Sequence, residues 1–434
     1  MVSRRVIGAV LAFTLIAAAC TSRSPTSTVL ETITPLTTTT SSTTTSTTTT
    51  TSTTTTTLPR FSTTGTVITT DGEPLPGATV TAGEVQAVTD ADGSFILDGA
   101  LAGSVIASRP AWLPTEVMWT GESTLSITMA PRIVRAIRVS RAVAPDKEAF
   151  EAILAIADAT TVNALVFDTK DESGYLLYNS KVPKAAEIGA NRNVYDPVAY
   201  IAEAKARDLY TITRIVTFED SVWSKGDPDA ALAGTWINAT DKANWEYPLA
   251  LAAEACELGF DEIQFDYIRF PDGKTAARVR QIFPTTQVQR VAIIQEFLAE
   301  ARTLLHGMGC AISADIFGIT MASPTDEGIG QRPEELSTVT DALSPMLYPS
   351  HYSPGWIGFD DPNDFPGPVV AHSLDLGMAR LKGPSLIRPW LQGFYYTPDQ
   401  VLAQITEAEN RGLGWIIWNA NGNYELEWFP VDSE

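Results

Sequence analysis

Residues 132–434 alternate strand-like apolar segments with amphipathic helical ones, and this alternation constrains the fold more than any other feature of the sequence. Strands separated by helical crossovers are typical of parallel sheets. Eight such strands in about 300 residues match the number and size of a (β/α)8 TIM barrel, an α/β fold. The fifth connection is the least helical of the series. The expected strands are residues 135–141, 164–171, 210–218, 261–270, 310–318, 342–350, 385–394 and 414–420.

The fourth expected strand, DEIQFDYIRF, alternates polar with apolar residues. Successive side chains of a strand point to opposite faces, so the two sets lie on opposite sides. Because helices cover the outside of a TIM barrel, we expect the apolar set to point outward and the polar set inward. The polar set is Glu262, Gln264 and Asp266, and the apolar set is Ile263, Phe265 and Tyr267.

Asp266 is the acid nearest the C-terminal end of this strand. Catalytic groups of TIM barrels lie at that end, which favours a catalytic carboxylate. The alternative is a structural ion pair with Arg214 or Arg269. Glu262 lies deeper in the strand, where a structural pairing role is expected.

Polar and aromatic residues also occupy the ends of the other strands. Aromatic faces stack on the C–H surfaces of sugar rings, while carboxylates and amides bond sugar hydroxyls. The pattern therefore favours a carbohydrate substrate, and the alternative for each residue is a place in the core or in a structural network. The expected substrate-binding residues are Asp168, Lys170, Arg214, Gln264, Arg269, Tyr348, His351, Trp390, Gln392, Trp418 and Asn419.

Metal and cofactor motifs are not evident in the sequence. The three histidines show neither HxxxH nor HExxH spacing, and the barrel region has no glycine-rich phosphate loop. We therefore expect no metal site and no cofactor. The 51 acidic residues outnumber the 30 basic ones, giving a formal charge of −21, which argues against nucleic acid as a partner.

The first 20 residues have the basic, apolar and small-residue regions of a secretory signal. Cys20 follows three alanines, and this arrangement resembles a bacterial lipobox, which implies lipidation of Cys20 and attachment to a membrane. Simple cleavage and release is the alternative. Both predict an extracellular or cell-envelope location. Residues 21–61 form an expected disordered linker, since residues 37–57 are all Thr or Ser.

Residues 62–131 contain short strand-like segments separated by Asp-Gly turns, a strong hairpin signal. The runs GTVITTDGEPLPGATV and TDADGSF resemble the carboxypeptidase regulatory-like domain, which implies a small β-sandwich with an accessory role. Asp90 and Asp92 lack the spacing of a calcium loop, so we assign them to a turn. Cys256 and Cys310 either form a disulfide or remain as two buried thiols.

The segments LVFDTKDESG, GFDEIQFDYIRFP, ISADIFG, SPMLYPSHY and WLQGF together resemble a bacterial family of TIM-barrel domains classed with the glycoside hydrolases. The resemblance covers residues 133–430. In related barrel glycosidases the nucleophile is an aspartate at the end of strand four, the position of Asp266. The amylase-like acid/base at the end of strand five matches Asp315, although the family pattern has Glu there. Galactosidase-like barrels place it after strand six, where this chain has no carboxylate.

The resemblance implies a glycoside hydrolase acting on an extracellular or cell-wall polysaccharide. Such hydrolysis uses two carboxyl groups, here Asp266 as nucleophile and Asp315 as acid/base. Neighbouring strand ends place two carboxyls at roughly 5 Å, which predicts retention of configuration. The alternative from a different class is a catalytically inactive barrel that binds glycans. A deacetylase-like enzyme is a weaker option, because metal-ligand histidines are missing.

Overall fold

A computed structural model describes residues 58–282 and 285–431. The expected signal segment, Cys20 and the linker up to Thr57 lie outside the described residues. Among the described residues, none of the helices combines the length and the apolar character that crossing a membrane needs.

Two small sheets form the N-terminal part and share one apolar core. One has the order β4-β1-β7 and the other β3-β2-β5-β6; only β1 and β7 pair in parallel. Asp90 Oδ1 accepts hydrogen bonds from the backbone N–H of Asp92 and Ser94 at 3.0 and 2.9 Å, which is the turn role expected of it. The strands are β1 (Arg60–Thr69), β2 (Thr79–Ala82), β3 (Val85–Val88), β4 (Ser94–Leu101), β5 (Gly103–Ser108), β6 (Thr115–Trp119) and β7 (Thr124–Met129).

The remaining strands form a closed parallel barrel, confirming the (β/α)8 prediction. Sequential neighbours pair around the ring, the last strand pairs with the first, and β14 pairs with β15. The seventh position is interrupted, so two short strands fill it. The barrel strands are β8 (Arg135–Val139), β9 (Ala164–Lys170), β10 (Tyr210–Val216), β13 (Glu262–Asp266), β14 (Ala311–Phe317), β15 (Ala342–Leu347), β16 (Leu386–Ile387) with β17 (Trp390–Gln392), and β18 (Trp415–Trp418); β11 (Ala231–Ala233) and β12 (Trp236–Ile237) form a hairpin beyond β10.

Helices surround the barrel, and the fifth connection has the least helix, as expected: only a 3-10 turn and a four-residue helix follow β14. Several helices begin at side-chain caps, such as Asp146 and Asp196. The helices are α1 (Lys147–Ala159), α2 (Pro183–Glu187), α3 (Pro197–Lys205), α4 (Trp223–Gly226), α5 (Glu246–Leu258), α6 (Gly273–Ile282), α7 (Gln287–Met308), α8 (Pro333–Leu336), α9 (Pro366–Met378) and α10 (Pro398–Glu409).

Strand β13 has the two faces that its sequence predicts. Phe265 packs edge-on against Phe297 of α7, with ring centroids 5.3 Å apart. On the inner face, Glu262 is fully buried and accepts hydrogen bonds from Arg388 and Ser313, so its charge is partnered. This pairing is the structural role expected of Glu262.

The expected extent of this strand and the outward placement of Tyr267 were wrong. The strand ends at Asp266 rather than at residue 270, because Tyr267 adopts a left-handed backbone with φ of 49°. This turn removes Tyr267 from the alternation. Its side chain therefore lies at the open end of the barrel and not under the helices.

Cys256 of α5 and Cys310, just before β14, form a disulfide with their Cα atoms 6.1 Å apart. The sequence had left two buried thiols as an alternative. A cross-link separated by 54 residues in sequence removes unfolded-state entropy worth about 4 kcal/mol. The bond fixes a helix of the outer layer to the N-terminal end of a barrel strand.

The N-terminal sheets pack against the N-terminal end of the barrel. Ala311, the first residue of β14, belongs to their apolar core. Arg109, which follows β5, is buried 3.4 Å from Asp341, just before β15. Asp341 also accepts hydrogen bonds from His306 Nε2 at 2.8 Å and from the backbone N–H of Ile312 at 3.0 Å. The opposite, C-terminal end of the barrel stays open.

We expect Asp341→Asn to lower the free energy of unfolding by about 3–5 kcal/mol, because it leaves the buried Arg109 charge without its partner. Burial opposes ionisation of Asp341, but the contacts with His306 and Arg109 hold its pKa below the ordinary value. Its contribution is therefore present above pH ~4 and lost as pH falls toward the folded-state pKa. Urea unfolding at pH 7 and pH 3 measures both effects.

The matched control is Asp375→Asn, which removes a largely exposed partner of Arg411 and should cost less than about 1 kcal/mol. Equal losses for the two variants, or a loss for Asp341→Asn that does not shrink in acid, would contradict the role assigned to Asp341.

Candidate active site

The C-terminal ends of the barrel strands enclose a central cavity of about 630 Å³. Apolar and aromatic side chains make up most of its wall, with a few charged groups at the floor. Its volume is in the range of small-ligand sites in proteins. The lining residues are Glu172, Arg214, Asp266, Tyr267, Arg269, Phe317, Gly318, Ile319, Met346, Tyr348, His351, Tyr352, Ser353, Trp356, Trp390 and Trp418.

Arg214 of β10 lies at the floor of the central cavity and contacts four carboxyl groups. Its Nε and Nη2 donate to Asp266 Oδ2 at 2.9 and 2.5 Å, and Nη1 donates to Asp168 Oδ1 at 3.1 Å. Nη2 also donates to Glu172 Oε1 at 2.5 Å, while Asp315 Oδ2 lies 3.7 Å from Nε. One buried guanidinium therefore holds these four acids in a fixed arrangement.

Arg138 of β8 is the second cation of this network. Its Nη2 donates to Asp168 Oδ2 at 2.6 Å and lies 3.8 Å from Glu172 Oε2. Its guanidinium stacks on the ring of Trp418, 3.9 Å from the centroid. Two cations thus face four carboxyls, and the acids cannot all ionise with equal ease.

The acids of the network differ in pKa as a result. Burial opposes ionisation of Glu172, but Arg214 and Arg138 outweigh it and lower its pKa to about 2. Burial raises the pKa of Asp168 despite the same two cations. Burial and the negative charge of Asp266 raise the pKa of Asp315 well above its ordinary value.

Asp266 is the last residue of β13 and reaches the central cavity. Oδ1 accepts a hydrogen bond from the backbone N–H of Tyr267 at 2.6 Å, and Oδ2 accepts from Arg214. The left-handed turn at Tyr267 brings this N–H onto the carboxylate. Three hydrogen bonds thus fix the orientation of this carboxyl group, two from Arg214 and one from the backbone of Tyr267.

Asp315 lies behind Trp390 and does not line the central cavity, although the sequence placed it at the mouth. It is 1 % exposed, and Trp390 Nε1 donates to its Oδ1 at 2.7 Å. Oδ2 accepts no hydrogen bond from the described residues. Burial beside the negative charge of Asp266 gives Asp315 the raised pKa that a general acid requires.

The structure brings several other expected residues to the central cavity. Tyr348 and His351 meet edge-on at 5.2 Å, and Trp390 and Trp418 do so at 5.3 Å. Burial lowers the pKa of His351. Arg269, together with Arg214, completes the set of expected residues that line this cavity.

Four of the expected substrate-binding residues are buried and do not reach the central cavity. Lys170 is fully buried and pairs with Asp220 at 2.8 Å, because the register of β9 against β10 shifts after Asp168. Gln264 lies deep in the barrel and donates to Ser344 Oγ. The other two are Gln392, which accepts from Ser350 Oγ, and Asp168, which is held by the two arginines.

Asn419 lies outside the central cavity, in a neighbouring one that shares Trp418 with it. Its side-chain Nδ2 donates to the carbonyl oxygens of Gly393 and Asn423 at 2.7 and 3.0 Å. Asn419 therefore braces the loop beyond β18 against the loop beyond β17.

Sequence reasoning missed several residues of the site, above all Glu172 and Tyr267. Glu172 follows β9 in the run DTKDESG, and an acid directly beyond a barrel strand was a usable signal. Tyr267 was missed because strict alternation along the strand points its side chain outward. Phe317 was missed as well; it packs against the Arg269 guanidinium, which lies 4.4 Å from its ring centroid.

Across residues 58–282 and 285–431, His, Cys, Asp and Glu side chains form no set of three or more arranged to hold a metal ion.

We expect Asp315→Asn to fold normally and to gain stability relative to the wild-type chain as pH rises. The folded-state pKa of Asp315 is raised, so its stabilising contribution is complete below its ordinary pKa near 4 and is lost as pH rises. The Asn side chain has nearly the same shape as Asp but does not titrate. Melting temperatures across pH 4 to 8 test the difference, and a variant that loses stability steadily toward pH 8 would contradict the raised pKa.

Comparisons with known proteins place the barrel in a family. Residues 136–424 match the family model DUF4015, described as "Putative glycosyl hydrolase domain". No curated protein matches the sequence. A hypothetical protein from Ruminiclostridium thermocellum ATCC 27405 is 33% identical, over 41% of this chain and 96% of that one, with a TM-score of 0.36.

Two solved glycoside hydrolase domains are also similar. That of PgaB (BpsB) from Bordetella bronchiseptica is 11% identical over 69% of this chain and 99% of that one, with a TM-score of 0.52, which shows a shared fold. That of PelA from Pseudomonas aeruginosa is 13% identical over 67% and 96%, with a TM-score of 0.39. Because the family model spans more than half of the sequence, the chain belongs to this family of glycosyl hydrolase domains.

Proposed function

We propose that the protein hydrolyses glycosidic bonds of an extracellular or cell-wall polysaccharide with retention of configuration. Asp266 attacks the anomeric carbon, and Asp315 is the acid/base. The observation that carries this proposal is the contact of one guanidinium, Arg214, with two carboxyls: Asp266, which lines the central cavity as a nucleophile must, and Asp315, which has the raised pKa of a general acid. Glycoside hydrolysis needs one carboxyl group of each kind.

The geometry of Arg214 supports retention. Its Nε lies 2.9 Å from Asp266 Oδ2 and 3.7 Å from Asp315 Oδ2, so these two oxygens are separated by no more than both distances together, about 6.6 Å. Retaining enzymes hold their carboxyls about 5–5.5 Å apart, and inverting ones about 6.5–9.5 Å, to admit a water. The upper limit on the distance between the two oxygens therefore favours the carboxyl separation of retaining enzymes.

The wall of the central cavity suits a sugar ring. Trp418, Trp390 and Tyr348 offer aromatic surface, while Arg269 and Glu172 offer polar groups for hydroxyls. No resident cofactor is needed for this chemistry. A carboxylate and a carboxylic acid supply the nucleophile and the proton.

The burial of Asp315 sets a condition on this mechanism. Trp390 separates it from the central cavity, so a bound glycan must shift the Trp390 side chain before Asp315 can reach the leaving-group oxygen. Glu172 is the other carboxyl that lines the cavity, but its pKa of about 2 keeps it ionised and unable to donate a proton.

We extend the proposal to location. The signal-like first 20 residues, Cys20 after three alanines and the Thr/Ser tract support a protein that is secreted and attached to a membrane through a lipid on Cys20. The tract acts as a spacer between the anchor and the folded part. Mass spectrometry of the protein recovered from the membrane fraction of its native host tests the lipid.

We expect Asp266→Asn to abolish hydrolysis, because the amide cannot form the covalent intermediate. The assay measures reducing ends released by the purified protein from peptidoglycan, chitin, cellulose, xylan, starch and galactan. Glu172→Gln is the matched control and should retain activity within about tenfold, corresponding to a loss below about 1.4 kcal/mol. Activity of Asp266→Asn equal to wild type would refute the site.

The same panel separates hydrolysis from binding alone. The buried position of Asp315 favours a catalytically inactive glycan-binding barrel as the second candidate. That candidate predicts that the protein binds one of the polymers in a pull-down. Neither the wild-type protein nor Asp266→Asn would then release reducing ends.

We expect Asp315→Asn to slow hydrolysis of natural linkages by about 10²–10⁴-fold, the contribution of general acid catalysis. Aryl glycosides with acidic leaving groups need little protonation, so their first step should be nearly unaffected. Equal losses for both substrate types would show that Asp315 only positions its neighbours. NMR of the first-formed sugar checks the stereochemistry, and an inverted anomer would exclude retention.

A further inference from the structure

A second cavity of about 630 Å³ adjoins the central one, and we name it the flanking cavity. The two share Tyr348, His351 and Trp418 as a common wall. The loops beyond β17 and β18 supply the rest. Its lining residues are Tyr348, His351, Gly393, Phe394, Tyr395, Tyr396, Trp418, Asn419, Ala420, Asn421, Asn423, Glu425 and Trp428.

Tyr395 is the most exposed large apolar side chain among the described residues, with 94% of its surface accessible. Its backbone has φ of 61°, a conformation that costs free energy for a residue other than glycine. Its neighbours hold it there: Tyr396 donates through its hydroxyl to Asn363 O at 2.9 Å, and Gly393 N–H donates to Trp418 O at 2.9 Å. Strain that presents an aromatic ring to solvent at a cavity points to ligand contact.

Aromatic rings connect Tyr395 with the central cavity. Tyr395 meets Phe394 edge-on at 5.4 Å, and Phe394 meets Tyr348 edge-on at 5.6 Å. Asn421 and Asn423, both exposed, add amide groups to the wall of the flanking cavity. A ring face beside amide donors and acceptors is the combination that recognises a neutral sugar unit.

A third cavity, of about 650 Å³, adjoins the central one elsewhere and shares Glu172, Tyr267 and Trp418 with it. It is lined by residues that follow β8 and β9, including Arg141 and Asp171. The third cavity also shares Trp418 and Ala420 with the flanking cavity. The two side cavities therefore adjoin one another near the end of β18, and Trp418 borders all three cavities.

We propose that the flanking cavity is a binding subsite for sugar units beyond the cleaved bond, with Tyr395 as its stacking platform. A polysaccharide chain then extends from the central cavity into the flanking cavity, with the bond that Asp266 attacks in the first and further sugar units in the second. This inference rests on the proposed function and specifies a neutral chain that is longer than the central cavity alone requires.

The test replaces Tyr395 with Gly, which removes the ring and tolerates φ of 61°, so the loop keeps its shape. Tyr395→Phe is the matched control because it keeps the ring face. Each change is placed on Asp266→Asn, and binding is measured on an array of cello-, chito-, xylo-, malto- and galacto-oligosaccharides of two to eight units. Loss of one stacking contact predicts about tenfold weaker binding of long oligomers only.

Supporting results are affinity that rises with chain length, falls with Tyr395→Gly and is kept by Tyr395→Phe. Unchanged long-chain binding in Tyr395→Gly would overturn the subsite, as would equal weakening for two-unit ligands or no binding to any of the oligosaccharides. If binding depends on chain length but the protein with Asp266 intact hydrolyses none of the glycans, the proposed hydrolysis is rejected and the proposed subsite is retained. For a polymer that the protein cleaves, Tyr395→Gly should reduce kcat/KM. The value of kcat/KM for short aryl glycosides should stay unchanged.

Discussion

The buried Arg214 guanidinium is the interaction on which the site depends. Only 1% of the Arg214 surface is exposed, and burying an unpaired charge inside the barrel would cost several kcal/mol of folding free energy. Its partners come from separate segments: Asp168 from β9, Asp266 from β13, Asp315 from β14 and Glu172 from the loop after β9. These segments belong to the neighbouring strands β9, β10, β13 and β14, so the pairing of these strands assembles the site.

The two ends of the barrel carry out different tasks. At the N-terminal end, the sheets of residues 60–129 pack against the start of β14, and Arg109 and Asp341 form a buried pair just before β15. At the C-terminal end, aromatic side chains line open cavities and the loops are long. The closed end stabilises the strands whose other ends position Asp266 and its neighbours, which is the usual division of labour in TIM barrels.

Much of the fold was predictable because it depends on local periodicity. The alternation of strands with helices identified all eight barrel positions, and the parity of β13 placed Glu262 inward and Phe265 outward. The weak fifth connection was also evident from composition. The pairing of Cys256 with Cys310 was not, because a spacing of 54 residues carries no information on Cα distance.

The sequence by itself determined the barrel, the inward-pointing polar residues of β13 and Asp266 as the acid at the open end of that strand. Only the tertiary structure decided which side chains share the central cavity with Asp266. Tyr267 lines the cavity because the strand ends at Asp266, Lys170 does not line it because the register shifts, and Asp315 lies behind Trp390. Alternation is a property of one strand, whereas a cavity depends on where neighbouring strands end and how they align, and no single segment encodes that.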